Sequence, residues 1–446
     1  MTFLRNLLAI WICKILVFAS KLMGKKGSSG PGAVALKISP NILKTLASKV
    51  KKEIIFVCGT NGKTTTNNLI YSLLKADNYK VVCNNVGANM LYGIACAFIT
   101  NTGLFGSLDA DYAVLECDEA YLRHAVEHIK PDKILVTNLF RDQMDRYGEV
   151  EQTMSFIDEA ICKVPDTTLV LNADDPICVT LGKDRKAIYY GISEDTGFKG
   201  LKSNDGRFCS ICKNELVYTY RHYSQLGSYE CTNCGFKRPN PNYSATRIDM
   251  SDGLKFVISY KGIQHKLSVN YRGFYNIYNI IGSFAAYESM GGTMENAKKV
   301  FASYKAQIGR MESFDICGKK VILNLAKNPA GFNQSISAIC DDKRNKDILF
   351  AVNDAPSDGT DISWLYDVDF ETLKNDGVNK IYVAGTRKYD LALRFKLAGF
   401  ENFEIVDTDK ESLITMISNA KDVCYMIVNY TVLFDTQASL KQLEDR

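Results

Sequence analysis

A lysine and two threonines behind a glycine-framed turn carry the densest chemical signal in this chain. Gly59-Thr60-Asn61-Gly62-Lys63-Thr64-Thr65 directly follows the apolar run Ile54-Ile55-Phe56-Val57. An apolar strand that empties into such a turn, with a helix over Asn67–Leu74 behind it, builds an anion cradle. Glycines let backbone N–H groups close on phosphate oxygens, and the helix N-terminus adds a favourable dipole. Lys63 has the reach for β- and γ-phosphates, and the Thr64 hydroxyl suits a Mg²⁺ coordination position. The expected ligand is ATP. The general loop pattern has a glycine where Val57 stands, so this is a shorter variant. Glu116, at the end of the apolar run Tyr112–Leu115, is a second candidate for Mg²⁺, because a carboxylate at a strand's C-terminal end beside a phosphate loop faces the metal. From residue types alone, an exposed acidic loop accounts for Glu116 equally well.

A second cluster is made of sulfur. Cys209-x-x-Cys212 and Cys231-x-x-Cys234 are separated by eighteen residues, the spacing of a zinc ribbon. Four thiolates would close the shell of a tetrahedral Zn²⁺, which makes the metal structural rather than catalytic. Tyr218, Tyr220, Tyr223, Tyr229 and Phe236 are placed to support small hairpins around it. The competing explanation is a chance cluster of reduced thiols; a redox pair lacks the accompanying sequence context. Most of the other cysteines (Cys58, Cys83, Cys96, Cys117, Cys162, Cys178 and Cys340) lie singly in apolar stretches, where free cysteine acts as a small hydrophobe. Together with an ATP site they point to a reducing cytoplasm. His124 and His128 fall i, i+4 on one helix face, but the glutamate of a metalloprotease helix is missing, which leaves them as surface residues.

These groups need a frame. The chain has 446 residues, enough for two or three domains with their own cores, and a net charge of +4 that calls for no nucleic-acid partner. Apolar runs at Ile54–Cys58, Lys80–Cys83, Tyr112–Cys117, Lys133–Asn138, Leu169–Asn172 and Ala187–Tyr190 alternate with helical patterns. That alternation predicts an α/β fold with a mostly parallel sheet and helices on both faces. It stops near residue 200, and the polar, aromatic and cysteine-bearing stretch of about 202–242 reads as an insertion. Residues 254–259 and 265–270 predict a strand pair, and Tyr275–Met290 a helix. After Arg310 a second alternation (Val321–Leu325, Asp347–Val352, Lys380–Ala384, Phe403–Val406, Val423–Val428) predicts a smaller C-terminal α/β domain. The expected division is an N-terminal lead-in over 1–50, a central ATP-binding domain over 51–308 and a C-terminal domain over 309–446.

Leu4–Met23 is apolar enough to resemble a membrane segment, and as a helix it would be about 30 Å long. Lys14 sits in its middle, where a lysine costs about 2.5–3.5 kcal/mol on insertion scales. Arg5, Asn6, Lys14, Ser20 and Lys21 share about half of the helical wheel, leaving Leu4, Leu8, Trp11, Ile15, Phe18 and Leu22 on the other half. Three placements follow: an amphipathic helix packed on its own domain, an interfacial helix whose residues 4–23 contact the membrane surface, or a span. No small-residue cleavage site follows it, so a secretory signal is not expected.

Further segments resemble the Mur ligase family, which includes the folylpolyglutamate synthetases. The short G-T-N-G-K-T loop with paired threonines has that family's form. Thr137–Gly148 (TNLFRDQMDRYG) is similar to its T-N-x-x-x-D-H-x-D-x-x-G segment, with Gln143 in place of the usual metal-binding histidine. Asn172-Ala173-Asp174-Asp175-Pro176 matches another of its turns. Asn276-x-x-Asn279 opens a helix ending in Ala285-Ala286, and the resemblance implies that Asn279 contacts the adenine side of the nucleotide. Gly309-Arg310-Met311-Glu312 matches its G-R-x-E, implying that Arg310 reaches the nucleotide. The C-terminal motifs select a branch. Asn324–Gly331 (NLAKNPAG) occupies the place of D-Y-A-H-N-P without its acid and histidine. Asn353–Trp364 (NDAPSDGTDISW) replaces a segment whose Lys-Arg serves amino-acid-adding ligases. With the Cys₄ insertion and the apolar N-terminus, these motifs closely resemble the MurT family of synthetase subunits.

That resemblance implies a cytoplasmic enzyme, with the inner face of the cell membrane as a further placement. It implies ATP-dependent amidation of the D-glutamate α-carboxylate of lipid II to D-isoglutamine through an acyl phosphate. Ammonia must come from elsewhere, because no cysteine here sits on a G-x-C-x-G-type turn and the chain has only four histidines. The implied partner is a GatD-like glutaminase subunit in a heterodimer, to whose Cys-His pair Asp361 is lent as the third member, with Asp358 as the alternative. An Asp-Gly turn capped by its own side chain explains the same residues without any partner. Two rival functions remain: an amino-acid-adding Mur or folylpolyglutamate-type ligase, against which the lost Lys-Arg argues, and a zinc-ribbon scaffold, which has no need of an intact phosphate loop.

Overall fold

Each strand of the first half begins where an apolar run meets a polar turn and ends in a loop on one common edge. The structure, a computed structural model, describes residues 2–23, 27–84, 88–141, 150–197, 206–250, 253–269, 273–304, 309–374 and 377–444. Strands β1 (Glu53–Cys58), β2 (Val81–Cys83), β3 (Tyr112–Glu116), β4 (Lys133–Val136), β5 (Thr168–Asn172) and β6 (Ala187–Ile192) are parallel. Strand β9 (Tyr243–Asp249) joins them parallel to β6, and β10 (Leu254–Tyr260) and β11 (Ile263–Val269) continue antiparallel. The resulting nine-stranded sheet runs β11-β10-β9-β6-β5-β4-β1-β3-β2, while β7 (Val217–Tyr223) and β8 (Leu226–Glu230) form a separate hairpin.

The order has a direct consequence. β1 lies between β3 and β4, so the connections leaving it and its neighbours diverge to opposite faces and open a crevice at the strands' carboxyl ends. The glycine turn after β1 falls in that crevice. Helices α1 (Thr2–Leu22), α2 (Gly30–Ile38), α3 (Ile42–Ala47), α5 (Leu91–Thr100) and α6 (Glu119–His128) cover one face of the sheet. Helix α4 (Lys63–Ala76), with the helices Tyr275–Ser289 and Met294–Ser303, covers the other. β1 itself is buried from Ile54 to Cys58, as a strand flanked by helices on both faces must be.

A second sheet of six strands runs β12 (Glu312–Ile316), β13 (Lys319–Leu325), β17 (Val423–Val428), β14 (Lys346–Ala351), β15 (Val378–Ala384) and β16 (Phe403–Ile405). All of it is parallel except the β12–β13 hairpin. Within the two large sheets, strands β9 and β12 are the ones that the apolar runs did not announce. Both alternate buried with half-exposed or exposed residues along much of their length, so neither contains an apolar run.

Helix α1 packs, but not by the predicted face. Ala9, Ile10, Cys13 and Val17 are buried against the body, whereas Leu4, Leu8, Trp11, Ile15, Phe18 and Leu22 are exposed. The polar residues flank the buried face and tie it down: the Ser39 hydroxyl donates to Asn6 Oδ1 (2.5 Å) and Lys14 Nζ donates to Thr100 O (3.3 Å).

Candidate active site

Lys63 opens α4, and both glycines before it adopt left-handed backbone, Gly59 at φ 114° and Gly62 at φ 85°. Neither position has room for a side chain. A Cβ on Gly59 would lie 2.4 Å from Thr137 Oγ1, and one on Gly62 would lie 2.2 Å from Asn279 Oδ1. The loop is latched to the turn after β4. Asn138 O accepts from the Thr60 N–H (2.8 Å), and the Asn138 side chain accepts from Asn61 N (2.9 Å) and donates to Asn61 O (3.0 Å). The Thr60 hydroxyl bridges both backbone groups of Phe140, donating to its carbonyl (3.1 Å) and accepting from its N–H (3.0 Å). The latch uses the Thr60 and Asn61 N–H groups, which leaves the first-turn N–H groups of α4 to meet a phosphate at the positive end of the helix dipole.

Lys63 is buried. Its ammonium donates to Gly59 O (2.5 Å) and Thr60 O (3.4 Å) and forms an ion pair with Glu119 Oε1 at 2.8 Å. Burial works against its charge, but the carboxylates of Glu119, Asp118 and Glu116 outweigh burial and raise its pKa. Burial likewise pushes the Glu116 and Glu119 carboxyls up, with Lys63 opposing. Glu116 Oε1 accepts from Asn89 Nδ2 (3.4 Å), and the Thr64 hydroxyl lies near enough to this carboxylate to favour its charged form. Among the described residues, Glu116 Oε2 is buried with no hydrogen-bond partner. An orphaned carboxylate oxygen beside a threonine hydroxyl, at the C-terminal end of a strand, is a donor set that fits Mg²⁺. Arg310 is near enough to stabilise the Glu116 charge. Asn279 lies at the phosphate loop, accepting from the Thr66 hydroxyl (3.4 Å) and donating to Asn276 Oδ1 (3.1 Å). Gln143 lies outside the described residues.

Behind the loop stand two buried aspartates. Asp175 caps the helix Pro176–Thr180 and accepts from Leu139 N (2.8 Å). Burial pushes its carboxyl up to about 6, from an ordinary value of 3.8. The folded pKa exceeds the unfolded one, so this group's relative stabilisation is complete below about pH 4 and is lost as pH rises through about 6. Between those limits the parent chain is expected to lose up to about 3 kcal/mol more than an Asp175→Asn chain in urea unfolding. Parallel pH profiles for the two chains would contradict it. Asp174 holds Arg238 Nε (2.7 Å), Tyr278 OH (2.7 Å) and Ile192 N (2.8 Å), joining the insertion to the helix Tyr275–Ser289.

The insertion reaches the site by its hairpin. At the β7–β8 turn, Gln225 Nε2 donates to Leu139 O (2.6 Å) and the Tyr223 ring packs 5.9 Å from that of Phe140, the residue held by Thr60. At the other end of the hairpin the four cysteines converge. Their sulfurs all lie within 4.8 Å of one another, with Cys209–Cys234 at 3.6 Å and Cys212–Cys231 at 3.4 Å. Tetrahedral thiolates about 2.3 Å from a zinc ion stand about 3.8 Å apart, so the cluster is compatible with zinc. Both Cys-x-x-Cys turns are closed alike, Lys213 N donating to Cys209 O and Gly235 N to Cys231 O, with Lys213 and Gly235 at positive φ.

The second sheet meets the site at two points. Asn328, which caps the helix Pro329–Asp341, donates through Nδ2 to Asn61 Oδ1 (3.2 Å), and Arg141 pairs with Asp367 (3.3 Å). Asp361 is half-buried and accepts from the Ser363 N–H (2.8 Å) and hydroxyl (3.0 Å), at the start of the short helix Ser363–Asp367. Asp358 is buried and held by the backbone N–H (2.9 Å) and hydroxyl of Thr431.

Comparison with known proteins places this arrangement. Residues 57–233 match the Mur ligase middle domain, and residues 325–433 match the MurT ligase C-terminal family. The chain is 37% identical over 432 residues to the lipid II isoglutaminyl synthase (glutamine-hydrolyzing) subunit MurT of Staphylococcus aureus, covering 96% of each chain. It belongs to the MurT family. The MurT subunit of Streptococcus pneumoniae is 34% identical over 92% of this chain and 91% of its own. The fold is shared more widely. A pseudomurein peptide ligase type C from Methanothermus fervidus superposes with a TM-score of 0.69 at 22% identity, over 89% of this chain and 80% of that one. MurF ligase from Thermotoga maritima, solved in complex with ADP, gives 0.66 at 15% identity, over 93% and 84%.

Of the expected residues of this MurT-family chain, Gly59 to Thr65, Glu116 and Asn279 converge at the loop, Arg310 lies close enough to act on Glu116, and Asp361 lies in the second sheet's loops. Sequence reasoning passed over Glu119, although the acidic run Asp118-Glu119 stood beside Glu116. It also passed over Asn328, whose signal was its position before Pro329 at a helix start.

Proposed function

We propose that the chain is the ATP-consuming subunit of a two-subunit ligase that converts the D-glutamate α-carboxylate of lipid II to D-isoglutamine, taking ammonia from a GatD-like glutaminase. The observation that carries this reading is its similarity to the MurT subunits of S. aureus and S. pneumoniae, which runs through both sheets. The buried phosphate loop with its Lys63–Glu119 pair supports phosphoryl transfer.

ATP would lie with its phosphates over Gly59–Thr65 and Arg310 and Asn279 toward the rest of the nucleotide. The substrate carboxylate attacks the γ-phosphorus, ADP leaves, and the acyl phosphate that results is attacked by ammonia with loss of phosphate. Lys63 and the loop N–H groups offset charge on the transferring phosphoryl group. Thr64 and Glu116 would hold a Mg²⁺, which neutralises phosphate charge when bound. Asn328 against Asn61 lets the second sheet bring acceptor and ammonia to the same loop. Asp361, exposed in part and anchored by Ser363, is the aspartate suited to orienting a partner's histidine, since Asp358 is used within the chain. A need for ATP suits a cytoplasmic enzyme.

Purified chain, glutaminase partner, lipid II, ATP, Mg²⁺ and glutamine should yield product with an amino group in place of a carboxyl hydroxyl. Addition of a whole amino acid would instead make the chain a conventional ligase. Zinc at Cys209, Cys212, Cys231 and Cys234 would be structural. Metal analysis is expected to find zinc in the parent chain, and none in Cys209→Ser/Cys231→Ser, which should melt at a lower temperature. A metal-free parent with unchanged melting would refute the ribbon.

A further inference from the structure

The exposed residues Leu4, Leu8, Trp11, Ile15, Phe18 and Leu22 of α1 are spaced i, i+4, i+7, i+11, i+14 and i+18, which aligns them in one stripe along the whole helix. Exposure runs from 43% at Trp11 to 74% at Leu22. The stripe widens at one side. Trp11 Nε1 donates to Leu104 O (2.8 Å), which sets Leu104 and Phe105 beside it, Phe105 being 79% exposed. A continuous apolar surface of this kind marks an interaction site.

Charge identifies the occupant. Residues 1–52 contain ten Lys and Arg and not one Asp or Glu. The remaining chain has 44 basic residues against 50 acidic ones, so the whole positive excess of the molecule lies at this end. Arg5 flanks the stripe on one side and Lys21 on the other, where long side chains can reach lipid headgroups, while Lys14 beside Lys21 is tied to α5. An apolar stripe bordered by cations, with a tryptophan in it, matches an anionic bilayer surface. We propose that α1 lies in the plane of an anionic phospholipid membrane, with its stripe and the Leu104–Phe105 loop inserted about 5–10 Å into the headgroup boundary.

The helix does not cross the bilayer. Ala9, Ile10 and Cys13 are fully buried among α2, α5 and their neighbours, and Lys14 is bonded to the end of α5, so a span would tear the helix out of its core. Helix α5 links the membrane face to the phosphate site: its last residue, Thr100, receives Lys14, and Asn89, just ahead of its first turn, bonds Glu116. The docking surface stands independently of the reaction proposed above.

Full-length chain is tested by flotation with vesicles of phosphatidylcholine alone and of phosphatidylcholine with phosphatidylglycerol. A Trp364→Phe background leaves Trp11 as the only tryptophan. Binding to the anionic vesicles should exceed that to neutral ones at least about tenfold, weaken in high salt, and shift Trp11 emission to the blue. Ile15→Glu/Phe18→Glu should cut it at least about tenfold with the melting temperature retained, and Phe105→Ser, on a separate element, should weaken it as well. Equal binding to neutral and anionic vesicles, or no binding, overturns the proposal. So does a chain whose self-association or glutaminase binding, rather than vesicle binding, responds to these substitutions, since the stripe would then be a protein interface.

Discussion

An Lys63→Ala chain is expected to lose amidation by about a thousandfold or more in kcat, with glutamine hydrolysis by the partner left intact. Two separate losses are combined in that number. Removing a preorganised cation from a transferring phosphoryl group costs a factor of about 10²–10³ by itself. Removing it from a buried ion pair also strands Glu119, at a cost to folding of about 3–5 kcal/mol. Burial already raises the Glu119 carboxyl, so the stranded group takes up a proton more readily than an exposed carboxylate does, which moderates the penalty. The two effects separate in a second variant. Lys63→Met/Glu119→Gln should recover much of the stability while remaining inactive. If the double variant regains turnover, Lys63 acts only as a structural partner of Glu119. The assay is product mass from lipid II together with ADP release, and the folding readout is thermal melting of the same samples.

Asp361→Ala should show the opposite pattern. In complex with the glutaminase, glutamine-dependent amidation is expected to fall by about 10³–10⁴, the scale for an orienting carboxylate removed from behind a catalytic histidine. Amidation driven by added ammonium should continue at the parent rate, because phosphoryl transfer is centred on the other sheet's phosphate loop. Among the described residues Asp361 bonds only Ser363, two residues on, so its loss should barely affect melting. Asp358→Ala provides the contrast: it breaks the Thr431 anchor and should lower stability. Full glutamine-dependent activity of the Asp361→Ala complex would reduce this residue to a turn cap.

The sequence made some of this visible and hid the rest for physical reasons. Central parallel strands are buried on both faces, so β1, β3, β4 and β17 read as unbroken apolar runs. Strands β9 and β12 escaped because their half-exposed alternation leaves no run to recognise. The phosphate loop was legible because glycine at positive φ, with no space for a Cβ, leaves few alternatives at Gly59 and Gly62. Glu119 was not, because only the fold shows which of three neighbouring carboxylates turns toward Lys63. The orientation of α1 was missed for a related reason. The wheel separated polar from apolar residues correctly, yet the face that packs lies on the half that carries the polar residues, where Ala9, Ile10, Cys13 and Val17 fit closely against the body.

The hairpin that joins the cysteine cluster to Leu139 and Phe140 ends one hydrogen bond from Thr60. A metal at the thiolates and a nucleotide at the loop, both proposed above, would therefore share one hairpin. Thermodynamic reciprocity then applies: whatever factor a metal at the thiolates contributes to nucleotide affinity, the nucleotide returns to metal affinity. A molecule that wedges under the β7–β8 turn would draw on the same coupling in reverse, loosening ATP without touching the phosphate loop.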